Sequence, residues 1–430
     1  MTRNSILIRN ARIHTASVMG AGIALGAISP AFAGFPTVYG KINVSANQYD
    51  LEKIDFAEKT PAFSAVDPTS SDPGRAAVAA TYQNKGATTT ATELDQAALE
   101  SNSSRIGIKG DFDISPELKA VYLLEYGTDV DNGSSGSQTF SQRNIWGGLQ
   151  GRWGTLSAGK IDTPLKTIQT NSVLASDLDR FNDLALADLG SYLVGENRAD
   201  NTILYTSPLL LGGLEVKVAA IENEEAGVKV TNTDPQNDNG FGAGKSVSVS
   251  YGKASWFVGL AADDNVQSTD TLRAVGEVGF GPVKIGVLYQ TAQQHEKFDK
   301  IGAFSTFVGS TVSAKGAQNG LNPLSEWDGA KDSSFKEQDG YVVNAAWKIT
   351  GPWTAKAQVG HSTSTPYDSK GQVQYEDAKA DAAALGIDYK LNDNAKVYGY
   401  YASLETKGDK RISTEKVVDK VASVGVDLKF

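Results

Sequence analysis

The chain has 430 residues, with 40 Lys and Arg against 50 Asp and Glu and a formal net charge of −10. That acidic balance rules against nucleic acid as the main partner. Cysteine is absent, so no disulfide holds the fold, and the 44 glycines suit tight turns and strands that curve.

The amino-terminal segment carries Arg3, Arg9 and Arg12, then an apolar run over 16–28, then Pro30 and the small-residue pattern Ala31-Phe32-Ala33. This is the layout of a secretory signal, with cleavage expected after Ala33 and 34–430 as the mature chain. The alternative is an anchoring helix, but the run is short for a bilayer. Loss of three Arg and no acid brings the net charge to −13, which leans an aqueous pore weakly toward cations. No other uncharged apolar run of helix-spanning length follows. If the exported chain crosses a membrane it must therefore do so as a closed barrel, because only helices and barrels satisfy every backbone group in lipid.

Strand-like alternation begins at once. Over 37–47, Val38, Gly40, Ile42, Val44 and Ala46 fall on one side, and Tyr39, Lys41, Asn43, Ser45 and Asn47 on the other. Over 105–112, Arg105, Lys109 and Asp111 oppose Ile106, Ile108 and Phe112. Polar-in and apolar-out is the pattern expected with lipid outside and water inside. Further along, short connections with turn chemistry stand at 113–117, 151–154, 210–213, 251–254, 279–282, 350–352 and 391–394. Long polar connections stand at 50–102, 129–138, 161–199, 222–243, 263–270, 292–338, 364–380 and 406–419. Seven short and eight long connections join sixteen strands, with both termini on the short-turn side. The expected fold is an all-β transmembrane antiparallel barrel of sixteen strands, with short periplasmic turns and long outer loops. Over 394–404 the tyrosines Tyr398, Tyr400 and Tyr401 leave open which parity faces lipid. Tyr341, Trp347, Trp353 and Phe430 are candidates for interfacial girdles or for ordinary sheet packing. The stretch 421–430 alternates strictly, with Ala422, Val424, Val426, Leu428 and Phe430 on one face.

Enzymatic chemistry has little to stand on. Of three His, His14 leaves with the leader, His295 lies in a long polar loop and His361 near a strand end. Neither sits in a motif of nucleophilic catalysis, no grouping has zinc spacing, and no phosphate-cradling Gly loop is present. The acid pairs Asp263-Asp264 and Glu224-Glu225 read as solvated charge. The sequence therefore predicts no enzyme, no cofactor and no metal.

Several segments together resemble the general diffusion porins of Gram-negative bacteria. They are Val38-Tyr39-Gly40-Lys41, Ser104-Arg105-Ile106-Gly107-Ile108-Lys109-Gly110, Leu124-Glu125-Tyr126, Gln142-Arg143-Asn144-Ile145-Trp146-Gly147-Gly148-Leu149, Gly154-Thr155-Leu156-Ser157-Ala158-Gly159-Lys160, Thr163-Pro164-Leu165 and Arg198-Ala199-Asp200-Asn201-Thr202-Ile203-Leu204-Tyr205. The resemblance implies an outer-membrane homotrimer, in contact with lipid and lipopolysaccharide, that passes small hydrophilic solutes and ions. It also implies that the barrel-assembly machinery recognises the last strand, ending at Phe430. Its third outer loop, at 161–199 here, would fold into the lumen as a constriction. The basic side of that constriction would be Lys41, Arg105, Arg143, Lys160 and Arg198, and the acidic side Glu125, Asp177, Asp179 and Asp183. Parity independently places Lys41 and Arg105 inward, but does not settle Arg143.

The family's Pro-Phe-Gly-Gly-type bend is missing, and Ser176-Asp177-Leu178-Asp179-Arg180-Phe181-Asn182-Asp183 stands in its place. Which Asp faces the pore is left open, and periodicity alone reads 172–189 as a short amphipathic helix with a solvated acidic face. The function expected is passive diffusion with a weak cation preference. The alternatives are a substrate-selective channel or a plugged barrel with an adhesive or enzymatic role, the latter suggested by the long first loop.

Overall fold

A computed structural model describes residues 36–56, 59–62, 81–84, 90–131, 140–171, 176–222, 241–267, 269–295, 334–367, 378–409 and 414–430. The expected leader over 1–33 lies outside the described residues. Seventeen strand segments form one sheet. Two of them, Thr90–Ser101 and Arg105–Ser115, follow each other along the same neighbour and make one crossing, β2, so the barrel has sixteen strands. The others in the first half are β1 (Thr37–Phe56), β3 (Leu118–Thr128), β4 (Phe140–Gly151), β5 (Gly154–Asp162), β6 (Arg198–Thr206), β7 (Leu214–Glu222) and β8 (Phe241–Lys253). The second half comprises β9 (Trp256–Val266), β10 (Thr269–Phe280), β11 (Val283–Gln294) and β12 (Ser334–Lys348). It continues with β13 (Trp353–Tyr367), β14 (Ala378–Asn392), β15 (Ala395–Asp409) and β16 (Thr414–Lys429). Every neighbour is antiparallel, and β1 pairs with both β2 and β16, with Lys41 opposite Arg105 and Lys429. The sheet closes on itself, which leaves it no free edge. Among the described residues no helix is long and apolar enough to cross a membrane.

The alternation holds in three dimensions. Lys41, Asn43, Ser45 and Asn47 of β1 are buried within the barrel, while Val38 and Ile42 are exposed on its outside. Ile106, Ile108, Val247, Val249, Val258, Leu260, Val424 and Leu428 continue the outward apolar surface. Trp153, Trp256, Phe280, Trp347, Trp353 and Phe430, all exposed, gather at the short-turn rim. Such a row suits an interface where one end of the ring is wet and the body is not. Tyr341, the fourth girdle candidate, is exposed farther up β12 and lies opposite Tyr289. In β15, Tyr398 and Tyr400 are buried inward and Tyr401 is exposed outward, which fixes the parity that the sequence left open.

Several of the expected long connections are shorter than they read: strands take the ends of 292–338 and 364–380, and of 406–419 only 410–413 lies between β15 and β16. The stretch 50–102 contains the end of β1 and the start of β2, paired from Asp50 opposite Asp95 to Asp55 opposite Thr90. Polar strand ends there are held by ladder hydrogen bonds, which hydrophobic periodicity does not report. The stretch 263–270 is a tight reversal, with Asn265 and Gln267 at φ 55° and 51°. The lumenal connection runs over 163–197, between β5 and β6.

Candidate functional site

The connection between β5 and β6 begins with α1 (Pro164–Thr167), whose cap Thr163 accepts a hydrogen bond from the Lys166 N–H at 3.2 Å. Pro164 at the first helical position needs no N–H partner and favours this start. Ser176–Asp177 pairs with Thr170–Asn171, the stretch 178–188 is a series of turns, and among the described residues the short amphipathic helix that periodicity suggested over 172–189 does not form. Its apolar residues are spent differently. Ile168, Leu178, Phe181, Tyr192 and Leu193 are buried against inward-facing Gly259 of β9, Gly286 of β11, Gly386 of β14, Gly360 of β13 and Gly340 of β12. A Cβ at any of these five glycines would overlap the seated side chain. The absence of side chains makes a track down the inner wall into which the loop packs.

Polar groups from the same wall fasten the loop. Arg273 of β10, 0% exposed, donates to Glu196 at 2.7 Å, Gln169 at 3.1 Å, the Leu165 carbonyl at 3.3 Å and the Val194 carbonyl at 3.2 Å. Gln290 of β11 accepts from Arg273 at 2.8 Å and donates to the Val194 carbonyl at 2.8 Å. Gln358 of β13 donates to Asp179 at 3.1 Å and to the Ala187 carbonyl at 2.9 Å, and accepts from the Arg180 N–H at 2.9 Å. Arg180 pairs with Glu277 of β10. These buried groups would be costly if left alone, so the loop and the wall satisfy each other.

The loop tip crosses to the opposite wall. Asp183 Oδ2 lies 3.1 Å from Lys41 Nζ and 3.6 Å from Arg105 Nη2. Asp183 adopts φ 68°, and its N–H donates to Asp188 Oδ2 at 2.7 Å. Asp188 Oδ1 accepts from the Gly190 N–H at 2.8 Å, so one carboxylate caps a turn and aims the tip. Burial works against the Asp183 charge, but Lys41, Arg105 and Arg143 hold its carboxyl at about 2. Burial, with Asp183 alongside, raises Asp188 to about 6. Asp177 is raised to about 7, chiefly by burial.

The other residues singled out from the sequence fall around this contact. Arg143 Nε donates to Glu125 Oε1 at 2.9 Å, and the Tyr39 hydroxyl donates to Glu125 Oε2 at 2.8 Å. Arg198 pairs with Asp162 at 3.0 Å, which also meets Lys166 at 3.2 Å, and Lys160 pairs with Asp200 at 2.9 Å. Asp177 holds the Asp179 N–H at 3.0 Å. Asp179 turns into the loop, buried, where it accepts from the Leu189 N–H at 3.0 Å. The opposite charges expected to face each other across a gap thus stand at contact distance. Sequence reasoning missed Asp162, Asp200 and Lys166, the partners of the flanking bases, and the fastening residues Arg273, Gln290 and Gln358. Asp162 could have been found as the acid two residues from Lys160 on an alternating strand. The fasteners carry no local mark.

A closed barrel with a polar interior, an apolar exterior and a loop seated in its lumen has the architecture of outer-membrane β-barrels. The profile of the Gram-negative porin family matches residues 15–409, and the chain belongs to that family. It is 38% identical over 68 residues to the major outer membrane protein P.IB of Neisseria gonorrhoeae, a match covering 16% of this chain and 19% of that protein. The chain thus spans about a fifth of that relative's length. Among solved structures it is similar to the anion-selective porin from Comamonas acidovorans, with a TM-score of 0.54, 16% identity and coverage of 92% of this chain and 99% of that one. It is also similar to a loop L8 deletion mutant of OmpT, an outer membrane protein of Vibrio cholerae, with a TM-score of 0.54, 14% identity and coverage of 93% and 100%. At these identities the likeness is one of barrel fold.

Proposed function

We propose that the protein is a general diffusion porin that passes small hydrophilic solutes and ions, with a weak preference for cations. Supporting this is the pairing of each of the five bases singled out from the sequence with a carboxylate: Lys41 and Arg105 with Asp183, Arg143 with Glu125, Arg198 with Asp162, Lys160 with Asp200. An eyelet with little net charge suits sorting by size and polarity. The acidic balance of the remaining chain then leans the passage toward cations. Low-dielectric walls focus the field of these pairs across the narrowest section, where polar solutes align and apolar ones must shed water. No energy source or catalytic group is required.

In this reading Lys41, Arg105, Arg143, Lys160 and Arg198 form the basic side of the constriction. Asp183 and Glu125 form its acidic contacts, with Asp177 near the tip and Asp179 as an internal support. The long connections face the cell exterior and the short turns the periplasm. The leader is cleaved after Ala33, the assembly machinery engages β16 through Phe430, and three copies associate among lipid and lipopolysaccharide. Among the described residues the five bases of the site each face a carboxylate, which weighs against a channel selective for one anionic substrate.

Planar-bilayer recording of the purified protein in a salt gradient tests the reading. Large conductance steps in groups of three, with a small reversal potential of cation sign, are expected. Folded protein that conducts nothing would overturn the diffusion function and favour a plugged barrel.

A further inference from the structure

The long-loop rim over β9, β10 and β11 carries a feature that solute diffusion does not use. Asp264, Asp270 and His295 come from these three neighbouring crossings, and their ligand atoms all lie within 4.8 Å of one another. His295 Nδ1 stands 2.6 Å from Asp270 Oδ1 and 3.8 Å from Asp264 Oδ1. All three lie on the outer face of the barrel. Asp263, one residue away on the inner face, is 4% exposed, whereas the Asp264 side chain is 54% exposed.

We propose that Asp264, Asp270 and His295 form a binding site for a divalent transition metal, with Zn2+ as its best fit. Zinc binds imidazole nitrogen and carboxylate oxygen at about 2.0–2.2 Å, which puts neighbouring donors of a tetrahedral site roughly 3.4 Å apart. The separations of 2.6 and 3.8 Å bracket that value, so small side-chain rotations reach it. Both carboxylates are already held. Lys245 Nζ pairs with Asp264 Oδ2 at 3.0 Å and leaves Oδ1 turned toward the imidazole. The Asn265 N–H donates to Asp270 Oδ1 at 2.9 Å. Partners of this kind orient metal ligands without binding the ion themselves.

The donor set also selects the metal. One nitrogen and two carboxylates suit zinc, nickel or copper, whereas calcium requires six to eight oxygens and magnesium a near-ideal octahedron. Three protein donors leave a fourth position for water or an external ligand. Without metal, His295 Nδ1–H donates to Asp270; on binding, the imidazole changes tautomer, its proton passing through solvent to Nε2, and the Nδ1 lone pair takes the ion. The ion would pin three crossings together where β11 ends at Gln294 and the ladder stops. His361, the other imidazole on the strands, meets the single carboxylate of Asp381 at 2.7 Å and the Thr363 hydroxyl, and serves as a built-in control.

The test uses untagged, folded protein in detergent, titrated with ZnCl2 by calorimetry and with Co2+ by visible absorption. One Zn2+ per chain is expected, not displaced by excess Mg2+. His295→Ala and Asp270→Asn should each weaken binding by at least about tenfold, whereas His361→Ala should leave it unchanged. Far-UV spectra and conductance, which the rim does not control, show that each variant is folded. Zinc should raise the melting temperature of wild type and not of His295→Ala. A wild type that takes up no zinc, or a folded His295→Ala variant that binds like wild type, overturns the site.

Discussion

Asp183 is where the residue-scale argument concentrates. It is the one loop carboxylate in contact with the basic wall, with 16% of its side chain exposed against 6% for Lys41. Asp183→Asn keeps the shape and removes the charge, leaving Lys41 and Arg105 without their carboxylate. Reversal potentials should move toward anions by several-fold in permeability ratio, and the freed tip should raise conductance. The reverse change, Arg105→Gln with Arg143→Gln, should move selectivity toward cations and enlarge the effective gap; an unchanged reversal potential would remove both from the constriction. A pH titration separates the loop acids. Asp183, at about 2, contributes stability that is present above the ordinary carboxylate value near 4 and lost as pH falls through 2. Asp188, at about 6, runs the other way: its contribution is full below about pH 4 and lost as pH rises through 6. Between pH 8 and 5, Asp177 and Asp188 therefore lose charge while the Asp183 contact persists. Cation preference should decline over that window without a jump in conductance; a preference constant from pH 8 to 5 would show that these two carboxylates do not face the ion path.

At the scale of elements, strand alternation was legible and the seating of the loop was not. Lys41 and Arg105 could be placed inward because their neighbours are apolar, but Arg143 could not: its strand slips register against β3 between Leu124 and Tyr126. Tyr398 and Tyr400 read ambiguously because lumenal tyrosine is polar at its tip and apolar in its body. The Tyr398 hydroxyl finds Asn43 at 2.7 Å, a partner on the far end of the sequence. The glycine track escaped for the same reason, since Gly259, Gly286, Gly340, Gly360 and Gly386 each look like an ordinary strand glycine. Only the three-dimensional wall assembles them. Filling the track should undock the loop while leaving the barrel whole. Gly286→Val would overlap Leu178, and Phe181→Ala would remove a buried ring, at about 3–5 kcal/mol of loop docking. Both variants should show larger and noisier conductance with an unchanged far-UV spectrum. Conductance equal to wild type in both would mean that the polar fasteners Arg273, Gln290 and Gln358 hold the loop unaided.

For the whole molecule, the decisive event is closure. The asymmetry of short and long connections pointed to a closed barrel, because a two-sheet sandwich has no reason to put its long loops at one end. It could not show how the ends meet. In the structure the Gly40 N–H donates to the Phe430 carbonyl at 2.9 Å, and the Phe430 N–H to the Gly40 carbonyl at 3.1 Å. The Phe430 ring lies across Gly40, where any Cβ would strike it. Glycine at position 40 and the aromatic ring at 430 are therefore one feature, at the end of the seam that β1 makes with β16. Gly40→Val should cost about 1–3 kcal/mol by overpacking and lower the yield of the heat-resistant folded form. Phe430→Ala alone should weaken the seam by loss of the ring. The double variant Gly40→Val with Phe430→Ala should fold better than the sum of the two single effects predicts, because the valine then occupies the space that the ring vacates. Additive losses in the double variant would mean that the ring stabilises the barrel through some contact other than the one across Gly40.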